Sequence, residues 1–195
     1  MKAQLTIDLK SYWHAGGGRD AGSVYDAVVQ RDPDGLPVLP GRHLKGLLRD
    51  AFARAESWGW EHFEGLADTL FGHKPENSAA PSRGCLRISD GMLPEAQRRW
   101  LASKEGEKLR PALYAGLYAT AVKHETGTAL DNSLRGIEVA IPVKLQAAIE
   151  PVPGQTPPDD WAERIREILP LIDAVGAHRS RGLGRAEITL EEVQP

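Results

Sequence analysis

Pro40-Gly41-Arg42-His43-Leu44-Lys45-Gly46-Leu47-Leu48-Arg49 passes from a proline–glycine pair straight into a periodic run. Apolar residues fall at Leu44, Leu47, Leu48, Ala51, Phe52 and Ala55. This spacing predicts a helix with one apolar stripe. Arg42, Lys45 and Arg49 lie off that stripe, near the first turns. Upstream, Ala3, Leu5, Ile7 and Leu9 alternate with Gln4, Thr6, Asp8 and Lys10, the period of a half-buried strand. Downstream, a shorter helical pattern carries Phe63, Leu66, Leu70 and Phe71 and stops at Gly72, and Leu86 and Ile88 suggest a short strand. Pro94 to Lys108 reads as an exposed helix. Ile137, Val139, Ile141, Val143, Leu145, Ala147 and Ile149 share one phase and predict a long strand, with Pro142 marking an edge or a bulge. Trp161, Ile165, Ile168, Leu169 and Ile172 mark a helix kinked or ended by Pro170. Ala186, Ile188 and Leu190 form a closing strand.

The order strand, helix, strand, strand, helix, strand predicts an α+β fold with a ferredoxin-like (RRM-like) βαββαβ core. One domain over residues 1–195 is expected, with insertions at about 14–40, 58–83 and 94–135. The first insertion holds Gly16-Gly17-Gly18 and an Asp/Pro/Gly stretch ending at Gly35; the second holds a polar loop from Pro75 to Pro81. Residues 111–135 carry no clear period, and Thr126 to Arg135 read as a flexible finger.

A second glycine-rich basic segment, Gly176-Ala177-His178-Arg179-Ser180-Arg181-Gly182-Leu183-Gly184-Arg185, lies near the other end. Glycine lets backbone approach a ligand closely, and guanidinium and ammonium groups beside backbone N–H suit phosphates. The 195 residues carry a net charge of −3, so bulk charge does not explain two basic clusters. A polyanion bound locally does, and RNA is the first candidate. The hydrophobic share of 41% and charged share of 26% are those of an ordinary globular protein. No apolar run is long enough to span a bilayer and no signal peptide is visible, so a cytoplasmic protein with no membrane partner is expected.

The motifs leave several readings open. Gly41 to Gly46 has the glycine spacing of a P-loop, but Leu47 and Leu48 replace its Lys-Ser/Thr, so P-loop chemistry is unsupported. The segment is either a phosphate grip or a plain helix start with a solvated charged face. Arg179, Arg181 and Arg185 around Gly182 and Gly184 point more specifically to a ligand. His14 follows Tyr12-Trp13 and precedes the glycines. It is suited to contact RNA, to act as a base, or to be an ordinary loop histidine. Asp32-Pro33-Asp34-Gly35 is turn chemistry, and Asp20 shares that loop. Asp26, before Ala27-Val28-Val29, stands outside any turn signature; it is suited to hold hydrated Mg²⁺ or to orient a ribose 2′-hydroxyl. The five tryptophans fit core or rim packing, with Trp13 the candidate for base stacking. One cysteine, Cys85, and no His-Glu-x-x-His argue against a disulfide and against zinc.

Asp26 to Arg49, "DAVVQRDPDGLPVLPGRHLKGLLR", resembles the first signature of RAMP-superfamily proteins. It is closest to the backbone subunits of type III (Csm/Cmr-like) CRISPR effector complexes. "GAHRSRGLGRAEI" is similar to the family's glycine-rich loop. Leu70 to Gly72, "RGCLRISDGML" from Arg83 to Leu93, and Arg135 to Glu138 sit in family order. The resemblance implies a subunit that stacks with further copies of itself and other effector subunits along a crRNA guide. It implies that the insertions form a lid and a thumb-like hairpin, the thumb here within about Lys123 to Arg135 and pushed between guide and target RNA. It implies guide contacts by His14, Arg42, His43, Lys45, Arg49, His178, Arg179, Ser180, Arg181 and Arg185. Asp26 matches the loop aspartate that cleaves target RNA with a divalent metal, Mg²⁺ here, in the cutting members. Arg42-His43 replaces the usual Ser-Ser, Val139 stands where many relatives carry arginine, and the thumb looks short. A non-catalytic guide-binding scaffold of a divergent, type IV-like complex is therefore the alternative.

Overall fold

The computed structural model describes residues 2–16, 25–73, 82–131 and 133–193. The glycines at 17 and 18, Asp20 and the stretch from Pro75 to Pro81 lie outside them. Strand β1 (Lys2–Leu9) is followed by helices α1 (Gly41–Ser57) and α2 (Leu66–Phe71), then strand β2 (Leu86–Ile88) and helix α3 (Glu95–Ala102). Strands β3 (Tyr114–Ala119), β4 (Arg135–Ala140) and β5 (Lys144–Pro151), helix α4 (Trp161–Ile168) and strand β6 (Ala186–Val193) complete the chain.

Strands β2, β5, β1 and β6, in that spatial order, form one antiparallel sheet. With α1 between β1 and β2, and α4 between β5 and β6, this is the expected βαββαβ core. The sequence alternation fixes which face is buried: Ala3, Leu5, Ile7 and Leu9 of β1 point inward with Leu145, Ala147 and Ile149 of β5. The register sets Leu5 between Ala147 and Leu190. The α1 stripe of Leu44, Leu47, Leu48, Ala51, Phe52 and Ala55 packs into the same cluster, as do Trp161, Ile165 and Ile168 of α4. Phe52 meets Phe63 and Phe71 at ring-centroid distances of 5.3 and 5.5 Å, tying α2 to α1. The second long helix ends at Ile168 and tightens into a 3-10 turn over Leu169–Leu171, where Pro170 lacks the N–H to continue.

Three expectations are corrected. The single strand predicted over 137–149 is two strands in two sheets. The chain leaves one at Ile141, whose N–H reaches Leu113, and joins the other at Val143, whose carbonyl accepts from Leu9. Pro142 sits at the switch because it has no N–H for either ladder. In β4 the alternating buried positions are Gly136, Glu138 and Ala140, the phase opposite to the apolar one: Ala27 pairs beside Ile137, and Val29 and Arg31 engage the Glu138 side chain; Val139 is buried as well. The predicted helix over 94–108 stops at Ala102, and a 3-10 helix covers Glu107–Leu113.

The hairpin is also longer than expected. β3 and β4 pair from Tyr114↔Ala140 to Ala119↔Arg135. Beyond them Val122 bridges Ala129, and the Lys123 N–H donates to the Thr128 carbonyl at 2.8 Å. Tyr118, Val122, Leu130 and Leu134 are exposed along it.

Candidate nucleic-acid interface

The two basic segments, far apart in sequence, meet at the N-terminal end of α1. Pro40 and Gly41 start that helix against the exit of β2. A Cβ on Gly41 would sit 2.5 Å from the Ile88 carbonyl oxygen, and its N–H donates to Asp90 Oδ1 at 2.7 Å. The first turn then carries Arg42 exposed and His43 half-buried, while Leu44 turns into the core. His43 Nε2 accepts a hydrogen bond from the Gly176 N–H at 2.7 Å, joining residues 133 positions apart.

Left-handed glycines shape the opposite wall. Gly176 has φ 81° and Gly184 φ 71°. A Cβ on Gly176 would overlap the His14 carbonyl, and one on Gly184 the Val175 carbonyl. The Ala177 N–H donates to the His14 carbonyl and the Gly184 N–H to the Tyr12 carbonyl, both at 2.7 Å. Between these anchors, left-handed His178 and Gly182 bracket one 3-10 turn, Arg179–Arg181. That turn presents Arg179, Ser180 and Arg181 outward. A cavity of about 230 Å³ lies between the walls, lined by Ala15, Gly16, Pro40, Arg42, His43, Gly176 and Ala177.

Among the described residues, no carboxylate pairs with Arg42, Lys45, Arg179, Arg181 or Arg185, whereas Arg54, Arg87, Arg164 and Arg166 are all paired. Arg49, expected in the same set, is tied to Asp68 at 3.0 Å. The remaining cations are ready to neutralise phosphates without first breaking an ion pair.

Burial, and then the Arg179 charge, hold the His43 imidazole below its ordinary pKa. Folding therefore selects the neutral ring, with Nε2 as acceptor and the proton on Nδ1. Unfolded, His43 titrates near about 6.5. Between the folded and unfolded values the unfolded chain holds more protons, so stability rises with pH there and is lost as pH falls below about 6.5. Thermal unfolding at pH 7.5 and 5.5 checks this. The wild type loses more stability on acidification than His43→Gln, whose amide oxygen can accept from Gly176 without titrating. An equal loss in both contradicts the linkage.

His14, a candidate RNA contact, is engaged inside the protein. Its side chain is buried, Nδ1 lies 2.7 Å from the Glu138 carbonyl oxygen, and its own carbonyl holds the Ala177 N–H. It braces the cradle against the hairpin root. Trp13 is buried as well, with Nε1 donating to the Ile141 carbonyl at 3.0 Å.

Sequence reasoning missed Glu138. This carboxylate, 7% exposed, accepts from Arg31 Nη2 at 2.6 Å and from the Val29 N–H at 3.0 Å. Arg31 also lies 4.0 Å over the Tyr114 ring, and the Tyr114 hydroxyl donates to the Gly35 carbonyl. The available signal was a charge between two apolar residues, Ile137 and Val139. Asp26 sits on the same hairpin root, outside the basic cradle. It is exposed, and its Oδ2 accepts from the Gly136 N–H at 2.9 Å. No group of three His, Cys, Asp or Glu side chains is arranged for a metal ion among the described residues. One carboxylate fits Mg²⁺ only together with waters and RNA phosphate oxygens, the usual manner of that ion. Among the described residues, no helix is long and apolar enough to cross a membrane.

The RAMP superfamily profile matches residues 6–187. No curated protein matches the chain in sequence. A chain of the type III-B Cmr-beta complex bound to cognate target RNA superposes with a TM-score of 0.73 at 10% identity, covering 97% of each chain. A chain of Cmr-beta in the apo state gives 0.68 at 11% identity over 98% of each. A chain of a type IV-B CRISPR complex gives 0.63 at 14% identity, over 100% of this chain and 92% of that one.

Proposed function

The chain belongs to the RAMP superfamily, and from that membership we propose that it is a guide-RNA-binding backbone subunit of a CRISPR effector complex. One observation carries the reading: Arg42, with no carboxylate partner among the described residues, lines a cradle closed by the His43–Gly176 hydrogen bond, and the Arg179 charge of the glycine-rich loop is near enough to act on His43. Such a surface holds RNA by its phosphates and so accepts any guide sequence. The fold is shared with chains of Cmr-beta and of a type IV-B complex, which supports further copies and other effector subunits as partners. Co-expression with a CRISPR array and neighbouring effector genes, followed by sequencing of co-purified RNA, tests it. Discrete guide-length RNA in a multi-subunit particle is expected. RNA-free protein with every neighbouring subunit present overturns the reading.

The finer proposal is target-RNA cleavage through Asp26. Its exposed carboxylate on the hairpin root is held through Oδ2 by Gly136, and among the described residues none bonds Oδ1, which leaves that oxygen to meet a 2′-hydroxyl or a hydrated Mg²⁺. Mg²⁺ there would neutralise charge on the scissile phosphate. Asp26→Ala is expected to slow target cleavage at least about a hundredfold, the scale of a lost acid–base group, with guide binding retained. The rival is a non-cutting scaffold of a type IV-like complex. In its favour, the Gly136 hydrogen bond gives Asp26 a purely structural use. Asp26→Asn separates them: the amide oxygen keeps that bond, so only the cleavage reading expects it to lose activity.

A further inference from the structure

A second cavity, of about 410 Å³, borders the first turns of α1 through Lys45. Lys45, Arg83 and Arg87 line it, together with Ser82, Gly84 and an apolar floor that includes Phe71, Ile88 and Val152. Among the described residues, no acidic side chain lines it. Lys45 is three residues beyond Arg42, which lines the first cavity, and side chains at that spacing are neighbours on a helix surface. The two cavities therefore adjoin along one helix.

The wall carrying Arg83 is built, not incidental. Gly84 presses onto the end of α2, where a Cβ would lie 2.5 Å from the Leu70 carbonyl oxygen. The Ser82 N–H donates to the His73 carbonyl at 2.8 Å, the His73 N–H to Ser82 Oγ at 2.9 Å, and the Cys85 N–H to the Thr69 carbonyl at 3.0 Å. Arg83 has no carboxylate partner among the described residues. Arg87, on edge strand β2, pairs with Glu150 Oε1 at 2.8 Å. That same carboxylate is also held by Lys2, so it is over-supplied with cations and draws little of the positive field from the cavity.

We propose that this cavity is a second phosphate site, in which Lys45, Arg83 and Arg87 hold phosphodiester groups of the same RNA strand beyond the cradle. The proposal rests on the RNA-binding reading and gives it a direction: the strand runs from the Arg179–Arg181 turn, past Arg42, to Arg83. Each phosphate neutralised on a single strand adds about 0.7 to the slope of log affinity against log salt.

The test is filter binding of the full chain to oligouridylates of increasing length over a range of salt. Arg83→Gln with Arg87→Gln is expected to lower the slope by about 1.4. Its affinity should stop rising at a shorter oligonucleotide than the wild type requires. Arg83→Gln alone leaves the Glu150 pair intact and is expected to lower the slope by about 0.7. If both variants unfold at the wild-type temperature and keep the wild-type slope and length dependence, the second site is wrong while the cradle stands. If the wild type shows no salt-dependent RNA binding, the RNA reading itself falls, and this site with it.

Discussion

Replacing Arg179 and Arg181 together by alanine lowers RNA affinity roughly a hundredfold, at about 1.5 kcal/mol for each charge-assisted contact. Both side chains stand exposed on the 3-10 turn with no carboxylate partner among the described residues. Neither supports the core, so the loss is in binding and not in folding. The two contacts are to phosphates, so the effect is uniform across RNA sequences. It comes with a fall of about 1.4 in the salt slope of single-strand binding. Titration of two unrelated oligonucleotides at several salt concentrations reads both quantities. A loss confined to one sequence, or an unchanged slope, would mean that the arginines do not hold phosphate.

Gly184→Ala is the substitution expected to damage the fold most. The residue has φ 71°, and its added methyl would run into the Val175 carbonyl, a backbone atom that cannot swing aside. Left-handed backbone costs alanine about 1–2 kcal/mol, and the overlap adds about 1–3 kcal/mol. At about 2–4 °C per kcal/mol for a chain of this size, the melting temperature falls by roughly 4–20 °C. The same change separates the Val175 N–H from the Gly184 carbonyl and the Gly184 N–H from Tyr12, so the loop that carries Arg179 and Arg181 moves too. Gly182→Ala is the control. Its φ is 84°, but open space surrounds the new Cβ, so only the conformational cost of about 1–2 kcal/mol applies. Equal melting temperatures for the two variants would show that the packing against Val175 is not what requires glycine.

The ferredoxin-like core was legible because every element of it is amphipathic at its own period. β1 alternates strictly and the α1 stripe recurs over three turns, so burial follows directly from pattern. The hairpin was not. Tyr114-Ala115-Gly116-Leu117-Tyr118-Ala119 pairs, among the described residues, with β4 alone and buries no side chain fully, so it leaves no alternating signature. In β4 the apolar phase misled, because Arg31 and the Val29 N–H, both from the first insertion, engage the Glu138 side chain and satisfy its charge.

The residue types of the interface were present in the linear chain: glycines where backbone must approach backbone, and cations where phosphate is to be held. Local composition and period determined these, together with the order of the core elements. Their meeting was decided only by the tertiary structure. Threading β1 between β5 and β6 brings His14 beneath the Gly176 loop, and packing α1 beside α4 brings His43 to the Gly176 N–H. Likewise, only folding buried His14, engaged Arg49 with Asp68, set Asp26 on Gly136, and put Arg83 and Arg87 in one cavity with Lys45. A single short-range hydrogen bond or ion pair leaves no periodic trace in sequence, because its partner is chosen by the path of the chain through the sheet and not by its neighbours along it.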